Sequence, residues 1–238
     1  MIKKEQEYKH EPIEYRFEHK FIIPELDAYC IERRLRRILE LDPHSLSNGN
    51  YYIRSLYFDT LQNTALHEKI NGDCRREKFR IRYYNTNSSF LRLEKKIKHF
   101  QRTAKFQSIL SFEVVKNILM NQVFPPSDHT DPLVEEFKIK ILTTKLHPVS
   151  IVIYNRTAFL YNVNDVRITI DRHVKATTTS FHTFLQPTIP TYPVITPGNV
   201  IIEVKYDHFL PEFIQDLIMF PNMQISAASK YAASRLYL

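Results

Sequence analysis

The sequence from Lys78 to Lys98 reads KFRIRYY, then NTNSS, then FLRLEKKIK. Both flanking runs alternate between apolar and charged residues, which is typical of β-strands because successive side chains point to opposite faces. A turn-rich pentapeptide between two such runs predicts a β-hairpin. Each strand should therefore have one apolar face and one charged face. The charged faces carry Lys78, Arg80 and Arg82 on the first strand and Arg92, Glu94, Lys96 and Lys98 on the second.

The same alternation recurs in other stretches of the chain. An amphipathic hairpin with its charges in water is the simpler interpretation of one stretch, but four more predicted strands also carry charge on a single face. Those faces hold Arg16, Glu18 and Lys20; Arg156; Arg167, Thr169 and Asp171; and Glu203 with Lys205. If such strands close into a barrel with their apolar faces outward, the lumen suits a polyanion and a divalent metal. The prediction is an α+β fold, an antiparallel β-barrel tunnel with helices packed outside.

Eight short motifs, in an order that covers nearly the whole chain, give this sequence a family resemblance. It resembles the VTC (vacuolar transporter chaperone) domain, the polyphosphate polymerase branch of the triphosphate tunnel metalloenzymes, which form a CYTH-like superfamily. The motifs are Arg16-Phe-Glu18-His-Lys20-Phe, Ser55-Leu-Tyr57-Phe-Asp59-Thr, Phe79-Arg80-Ile-Arg82-Tyr, Leu93-Glu94-Lys-Lys96, Tyr154-Asn-Arg156-Thr-Ala-Phe, Arg167-Ile-Thr-Ile-Asp171, Ile202-Glu203-Val-Lys205-Tyr and Ser229-Lys230-Tyr231.

The resemblance implies a metal-dependent polyphosphate polymerase, a phosphotransferase that moves the terminal phosphoryl group of ATP to a growing polyphosphate chain. It implies that a set of cations contacts the triphosphate or the product chain, namely Lys20, Arg80, Arg82, Lys96, Arg156, Arg167 and Lys230. Of these, Arg80, Arg82, Lys96, Arg156 and Arg167 are also expected to act in catalysis. Arginine suits such a site because its planar fork binds phosphate oxygens in pairs, whereas lysine provides a point charge.

The resemblance also implies that Glu203 is a ligand for Mn²⁺ or Mg²⁺. A carboxylate within the otherwise apolar run from Val200 needs a partner, and a salt bridge to a neighbouring cation is the alternative interpretation. Glu18 and Glu94 are either further metal ligands or groups that orient the cations.

Two other functions could use the same tunnel: hydrolysis of inorganic or nucleoside triphosphates, and non-catalytic binding of polyphosphate or inositol polyphosphate. The Arg80/Arg82 pair together with Glu203 favours an enzyme, because a receptor would not need a metal carboxylate. Arg16 stands where other tunnel enzymes have a glutamate, which argues against the adenylate cyclase and thiamine triphosphatase branch. Ala227 stands where relatives can have a second lysine.

Composition narrows the choice of ligand and location. The chain has 33 Lys and Arg against 26 Asp and Glu, a net charge of +7 that favours an anionic partner. Its 3 glycines exclude a Gly-rich phosphate loop. No RNA-binding aromatic motif interleaves the basic residues, so the expected ligands are ATP and polyphosphate, not nucleic acid. Two reduced thiols, Cys30 and Cys74, and the lack of a signal-peptide core indicate a cytoplasmic chain, peripheral to a membrane if it has the membrane protein partner of its relatives.

We expect residues 1–14 to be a loose segment and residues 15–238 to form a single VTC-type tunnel domain. Helices are predicted at Leu26–Leu41, Ser111–Met120, from Asp131 onward, at Pro211–Met219 and at Ser226–Leu238. Asp59 is expected to cap the segment that follows it. The Thr- and Pro-rich stretch from Ala176 to Gly198 predicts a long loop, which is a lid, an interaction arm or a plain excursion.

Overall fold

The computed structural model describes residues 14–47, 49–85, 87–121, 131–178, 181–221 and 223–236. The expected loose segment at residues 1–14 lies outside this range except for Glu14, and the division into domains stays a prediction. The described elements are β1 (Arg16–Pro24), α1 (Glu25–Leu35), β2 (Glu40–Leu41), β3 (Asn50–Asp59), α2 (Thr64–Asn71), β4 (Arg75–Tyr84), β5 (Asn87–His99), β6 (Arg102–Leu110), α3 (Phe112–Asn121), α4 (Pro132–Thr143), β7 (His147–Tyr161), β8 (Val166–Thr177), β9 (Tyr192–Pro193), β10 (Asn199–Tyr206), α5 (Glu212–Ile218) and α6 (Lys230–Leu236).

Eight of these strands form a closed antiparallel ring. The order around it is β7-β3-β4-β5-β6-β1-β10-β8, and β8 pairs with β7 to complete the circle. The two-residue strands β2 and β9 extend the sheet at β7 and β8. The predicted α+β class and antiparallel barrel are therefore confirmed.

The hairpin that suggested the fold is β4–β5. Lys78 pairs with Lys96, Arg80 with Glu94 and Arg82 with Arg92, so the two charged faces coincide. The strands reach further into the turn than the pentapeptide suggested, because Asn85 takes a left-handed conformation (φ 56°) that asparagine tolerates well. The next residue of that turn, Thr86, lies outside the described residues.

The pairing between β6 and β1, called the seam below, is the shortest between neighbouring strands of the ring. Only two residue pairs join these strands, Arg16 with Thr103 and Phe17 with Arg102. Further along β1, the segment that follows α5 pairs with β1 in place of β6. Phe21 bridges to Ile225, and the Ser226 amide donates to the Lys20 carbonyl at 2.7 Å. This arrangement leads the chain directly to Lys230 at the start of α6.

The apolar strand faces point outward and are covered by helices. On one side of the barrel, β3, β4 and β5 pack beneath α3 and α4, with Phe58 and Phe137 edge to face at 5.0 Å between ring centroids. On another side, β8 and β10 pack beneath α1 and α5. The core of this barrel therefore lies around the tunnel and not inside it. Each aliphatic side chain buried there contributes about 1.5–3 kcal/mol to stability. None of the helices in the described residues is long and apolar enough to cross a membrane.

Two helix predictions were wrong at one end. The helix predicted over Leu26–Leu41 ends at Leu35, and Ile38 is 56% exposed, because Glu40 and Leu41 leave the helix to pair with β7. The helix predicted from Ser226 starts only at Lys230, because the backbone before it is engaged with β1 in the seam.

The predicted long loop is packed against the outside of the barrel. Its first two residues, Ala176 and Thr177, continue β8 instead. Within its described part, residues 176–178 and 181–198, Phe184 is 0% exposed in the core beneath α3, and no residue lines the lumen. The buried Arg54 guanidinium on β3 donates to three loop carbonyls, those of Phe184 (3.0 Å), Gln186 and Pro187 (2.9 Å). Arg54 therefore fixes this loop to the sheet.

Replacing Arg54 with methionine should destabilise the fold, because the buried loop carbonyls would lose a charged donor. Hydrogen bonds to charged groups contribute about 1.5–3 kcal/mol each, and partial relaxation should leave a net loss of about 3 kcal/mol in the free energy of unfolding. Urea denaturation measures this loss. The matched control is Arg37→Met, which changes an exposed arginine; equal losses in the two variants would contradict the anchoring role.

Candidate active site

A cavity of about 1050 Å³ fills the lumen of the barrel. Along β4 its lining residues run from Arg76 to Tyr84, which at about 3.3 Å per residue corresponds to roughly 26 Å. All the predicted substrate-binding cations line it: Lys20, Arg80, Arg82, Lys96, Arg156, Arg167 and Lys230. Glu18 and Glu203 also line it. The alternating strands thus bring six of these cations and both carboxylates into one cavity, and α6 brings Lys230, while the individual roles of these residues stay predictions.

The two hairpin arginines are held in fixed orientations. Arg80 donates to Glu94 Oε2 through Nε (2.7 Å) and to the Tyr57 hydroxyl through Nη1 (3.0 Å). Arg82 donates to Ser55 Oγ (2.9 Å) and to the Tyr154 hydroxyl (3.0 Å). Both guanidinium groups are therefore positioned before any ligand binds.

Glu94 lies behind these arginines and does not line the cavity. It is 1% exposed, and although burial raises its pKa, the charges of Arg80 and Arg82 hold that pKa far below its ordinary value. These contacts favour the second of the two interpretations that the sequence allowed, in which Glu94 orients cations.

A second network joins β7, β8, β10 and α6. The fully buried Asp171 accepts two hydrogen bonds from Arg156, at 2.6 and 2.7 Å, and lies 2.6 Å from Lys230 Nζ. Glu203 Oε1 accepts from Lys230 at 2.9 Å, and its Oε2 lies 3.5 Å from Arg156. Sequence analysis gave Asp171 no role in the site, although its place in the alternating run of β8 was a signal for one.

The helix that carries Lys230 is anchored by the residue beside it. The Tyr231 hydroxyl donates to Asp59, and the same carboxylate accepts from the amides of Ala65 (2.9 Å) and Leu66 (3.1 Å) in α2. Asp59 thus caps α2, as expected, and also fixes the position of α6 relative to β3.

At the centre of the lumen, Lys20 bridges the two lining carboxylates. Its Nζ lies 3.2 Å from Glu18 Oε1 and 3.5 Å from Glu203 Oε1, while Lys96 binds the other oxygen of Glu18. Burial alone would raise the pKa of both carboxyl groups, but the surrounding cations, Lys20 among them, lower it well below the ordinary value. Both groups are therefore ionised at neutral pH.

These two carboxylates fit one kind of metal site. Glu18 Oε1 is buried, and its close polar neighbour is the Lys20 ammonium group at 3.2 Å, so one of its two lone pairs remains available to a metal ion. Within the described ranges, no group of three or more His, Cys, Asp or Glu side chains converges as a metal cage. Mg²⁺ is commonly held by one or two carboxylates together with substrate phosphates, and Glu18 with Glu203 suits that mode.

Sequence analysis placed Lys78 and Lys205 on charged strand faces but gave neither a role in the site. Both line the lumen. Burial, with repulsion from Lys20 and Arg76, lowers the pKa of Lys78 to about 7. Burial also lowers the pKa of Lys205 to about 7, despite attraction from Glu18. The lumen thus holds more cationic groups than its carboxylates can stabilise.

Arg167 lies toward one end of the lumen. It donates to Asp42 Oδ2 (2.5 Å) and to the Tyr51 hydroxyl (2.7 Å). Tyr51 is six residues along β3 from Tyr57, which contacts Arg80. Arg167 and Arg80 therefore occupy different depths of the same tunnel.

Three solved structures are similar to this chain at low sequence identity. The Hippeastrum protein HpAC1, whose structure was reported with a dominant triphosphatase activity, is 14% identical, and the match covers 93% of this chain and 96% of that one with a TM-score of 0.53. A candidate adenylate cyclase from Bacillus halodurans is 14% identical over 81% and 80% (TM-score 0.48). The mimivirus capping enzyme triphosphatase is 12% identical over 86% and 90% (TM-score 0.38).

At such identities, the likeness to the Hippeastrum protein shows a common fold alone. No curated protein matches this sequence significantly. The family model of the VTC domain, however, matches residues 15–238, which is all but the first 14 residues of the chain. The chain therefore belongs to the VTC domain family.

Proposed function

We propose that this protein is a metal-dependent polyphosphate polymerase that transfers the terminal phosphoryl group of ATP to a growing polyphosphate chain. The observation that carries the proposal is the lumen itself, where arginines and lysines from at least six strands and α6 face two ionised carboxylates. ATP and polyphosphate are the ligands that this charge distribution fits. A cytoplasmic location and a membrane protein partner belong to the proposal through the family.

Phosphoryl transfer depends mainly on positioning and on neutralising charge. Arg80 and Arg82 are already oriented by buried partners, so little reorganisation is needed when phosphate oxygens arrive. In the reaction, an oxygen of the terminal phosphate of the chain attacks the γ-phosphorus of ATP. The bond from that phosphorus to the β,γ-bridging oxygen breaks, and ADP leaves with the bonding electrons.

The carboxylates Glu18 and Glu203 would hold the divalent metal together with substrate phosphates. Such an ion would neutralise part of the negative charge of the substrate phosphates. Lys20, which contacts both carboxylates, keeps them close to each other in the free protein.

Hydrolysis is the second candidate function, with water in place of the chain terminus. The shared fold of the Hippeastrum protein and its reported triphosphatase activity favour this candidate. Transfer to a chain is favoured by the length of the lumen. Its lining extends roughly 26 Å along β4, or about 20 Å along the axis of a barrel whose strands tilt by about 40°, which has room for both a triphosphate and a chain end. A non-catalytic receptor is less favoured, because it has no need for two ionised carboxylates that could hold a metal ion.

Incubation of purified protein with ATP and Mn²⁺ should produce long-chain polyphosphate, detected on gels alongside an assay for free phosphate. EDTA should abolish the product. Glu203→Gln should keep the fold, checked by circular dichroism, but lose metal-dependent turnover because it removes a charge and keeps the shape. Free phosphate without polymer would identify a hydrolase, and binding without either product would identify a receptor.

Arg82→Ala should lower turnover by much more than it lowers ATP affinity, if the guanidinium neutralises charge that develops during transfer. By comparison with single donors in other enzymes, the loss of turnover should be on the order of 10²-fold. Arg82→Lys should recover only part of it, because a point charge lacks the fork.

Calorimetry for affinity and initial rates for turnover separate these effects, with thermal unfolding as a check on the fold. Arg37→Ala, an exposed arginine, is the matched control. Equal losses of affinity and rate in Arg82→Ala would assign Arg82 to binding alone.

Triphosphate binding should be linked to proton uptake at alkaline pH. With pKa values of about 7, Lys78 and Lys205 are largely neutral at pH 8.5 in the free protein. A bound polyanion favours their charged forms and raises those pKa values, so binding takes up protons and affinity falls as pH rises from 7 toward 9.

Calorimetry at pH 8.5 in two buffers of different ionisation enthalpy measures the uptake. Lys78→Met and Lys205→Met should each reduce it. Binding enthalpies that do not depend on the buffer would contradict the linkage.

A further inference from the structure

The two ends of the lumen differ in their chemistry. Along β4 the lining residues run in the order Arg76, Lys78, Arg80, Arg82 and Tyr84, so the cationic series ends in an aromatic ring. The same change occurs along β5, where Lys98 and Lys96 lie toward one end and Arg92 and Phe90 toward the other. Two neighbouring strands thus give the tunnel a lysine-rich end and an aromatic end.

The aromatic end is lined by Tyr51, Tyr84, Phe90 and Arg92. Ile53 pairs with Tyr84, which brings Tyr51 of β3 to the same end of the barrel. The rings of Tyr51 and Tyr84 meet at a steep angle with centroids 5.8 Å apart, and the Arg92 guanidinium lies 5.4 Å from the Tyr84 centroid. Phe90 lies beyond them at the entrance and is 57% exposed.

The opposite end of the lumen is lined by a group of cations that would attract a negatively charged ligand. Arg76 and Lys98 are paired across β4 and β5, and Lys69 of α2 joins them in the lining. Burial lowers the pKa of Lys69 and Lys98, and the charge of Arg76 lowers both further. A polyanion would relieve this crowding. Tyr57 and Tyr231, which line the lumen beside Arg80 and Lys78, are buried and already in contact with these two cations.

The exposed ring of Phe90 and the guanidinium of Arg92 lie at the mouth of a cationic tunnel. This arrangement suits a ligand that is aromatic at one end and anionic at the other. Bases stack on aromatic side chains and on arginine with little dependence on their identity, because every base has a π-face. Arg82 and Arg80, whose guanidinium groups are held in fixed orientations, come next along β4 behind Tyr84.

We propose that Tyr84, Phe90 and Arg92 form a docking shelf for the nucleobase of the nucleotide substrate, with the buried ring of Tyr51 supporting that of Tyr84. ATP then lies with its base at the aromatic end and its phosphates directed inward, and the anionic chain extends toward Lys98 and Arg76. This assignment rests on the proposed function for the identity of the substrate. It adds the orientation of the nucleotide in the tunnel and predicts broad tolerance of different bases.

The test compares ATP with inorganic tripolyphosphate, which has the anionic part and no base. Calorimetry in EDTA measures both affinities without metal-dependent turnover. Phe90→Ala and Tyr84→Ala should each weaken ATP binding on the order of tenfold, the typical cost of losing one stacking partner. Both variants should leave the affinity for tripolyphosphate nearly unchanged. Tyr84→Phe keeps the ring and should keep the affinity for ATP.

Phe209→Ala is the matched control, because Phe209 is similarly exposed at 60% and lies outside the lumen. It should change neither affinity. Phe90→Ala alters an exposed side chain, so its result does not depend on how well Tyr84→Ala folds. Equal losses of ATP and tripolyphosphate affinity in the shelf variants, or no loss of either, would overturn the shelf.

This experiment is independent of the polymerase assay. A protein that makes no polyphosphate but shows the selective loss of ATP affinity would retain the shelf and lose the proposed reaction. A protein that makes polyphosphate but shows no selective loss would retain the reaction and lose the shelf.

Discussion

The pairing of buried charges inside a closed barrel is the constraint on which this structure depends. A charge removed from water is costly unless an opposite charge and hydrogen bonds compensate it. The lumen meets this requirement with carboxylates set behind or between cations, as when Asp171 binds Arg156 and Lys230 together. The compensation is incomplete, because Lys78 and Lys205 have strongly lowered pKa values. The uncompensated charge destabilises the free protein and favours the binding of a polyanion.

The barrel accommodates these charges because a strand separates its two faces residue by residue. Each of the lumen strands turns apolar side chains outward, where helices cover them, and charged ones inward. Every second residue of a strand points into the lumen, so eight short strands can surround it with polar side chains. A helix repeats only every 3.6 residues and would place fewer side chains in the lumen over the same number of residues. Core and site are therefore built from the same strands without competing for the same side chains.

The alternation also explains which features could be read from the sequence. It predicted the barrel and brought Arg80, Arg82 and Lys96 to one face, because these follow from local periodicity. It could not predict which groups pair across the lumen, because that depends on register between distant strands. The contact of Arg156 with Asp171, for example, depends on β7–β8 pairing that includes a register shift between Ile153 and Asn155.

The misplaced helix ends have the same kind of cause. Helical periodicity from Leu26 onward continues past Leu35, but the backbone at Glu40 finds partners in β7 instead. Similarly, the amide of Ser226 is used by β1, so α6 begins later than its sequence suggests. In both places a long-range backbone pairing overrides a local preference, and only the folded barrel supplies the partner.

Arg156 and Arg82 differ in the acceptors that hold their guanidinium groups. Asp171 binds Arg156 through both of its oxygens, so much of that guanidinium charge is compensated within the protein. Arg82 is held instead by the hydroxyls of Ser55 and Tyr154, and its nearest carboxylate oxygen, on Glu94, is 3.7 Å away. A neutral hydroxyl fixes the direction of a guanidinium without cancelling its charge, as preorganised stabilisation of a developing charge requires. Arg82 is thus oriented by neutral partners while most of its charge stays available to a ligand.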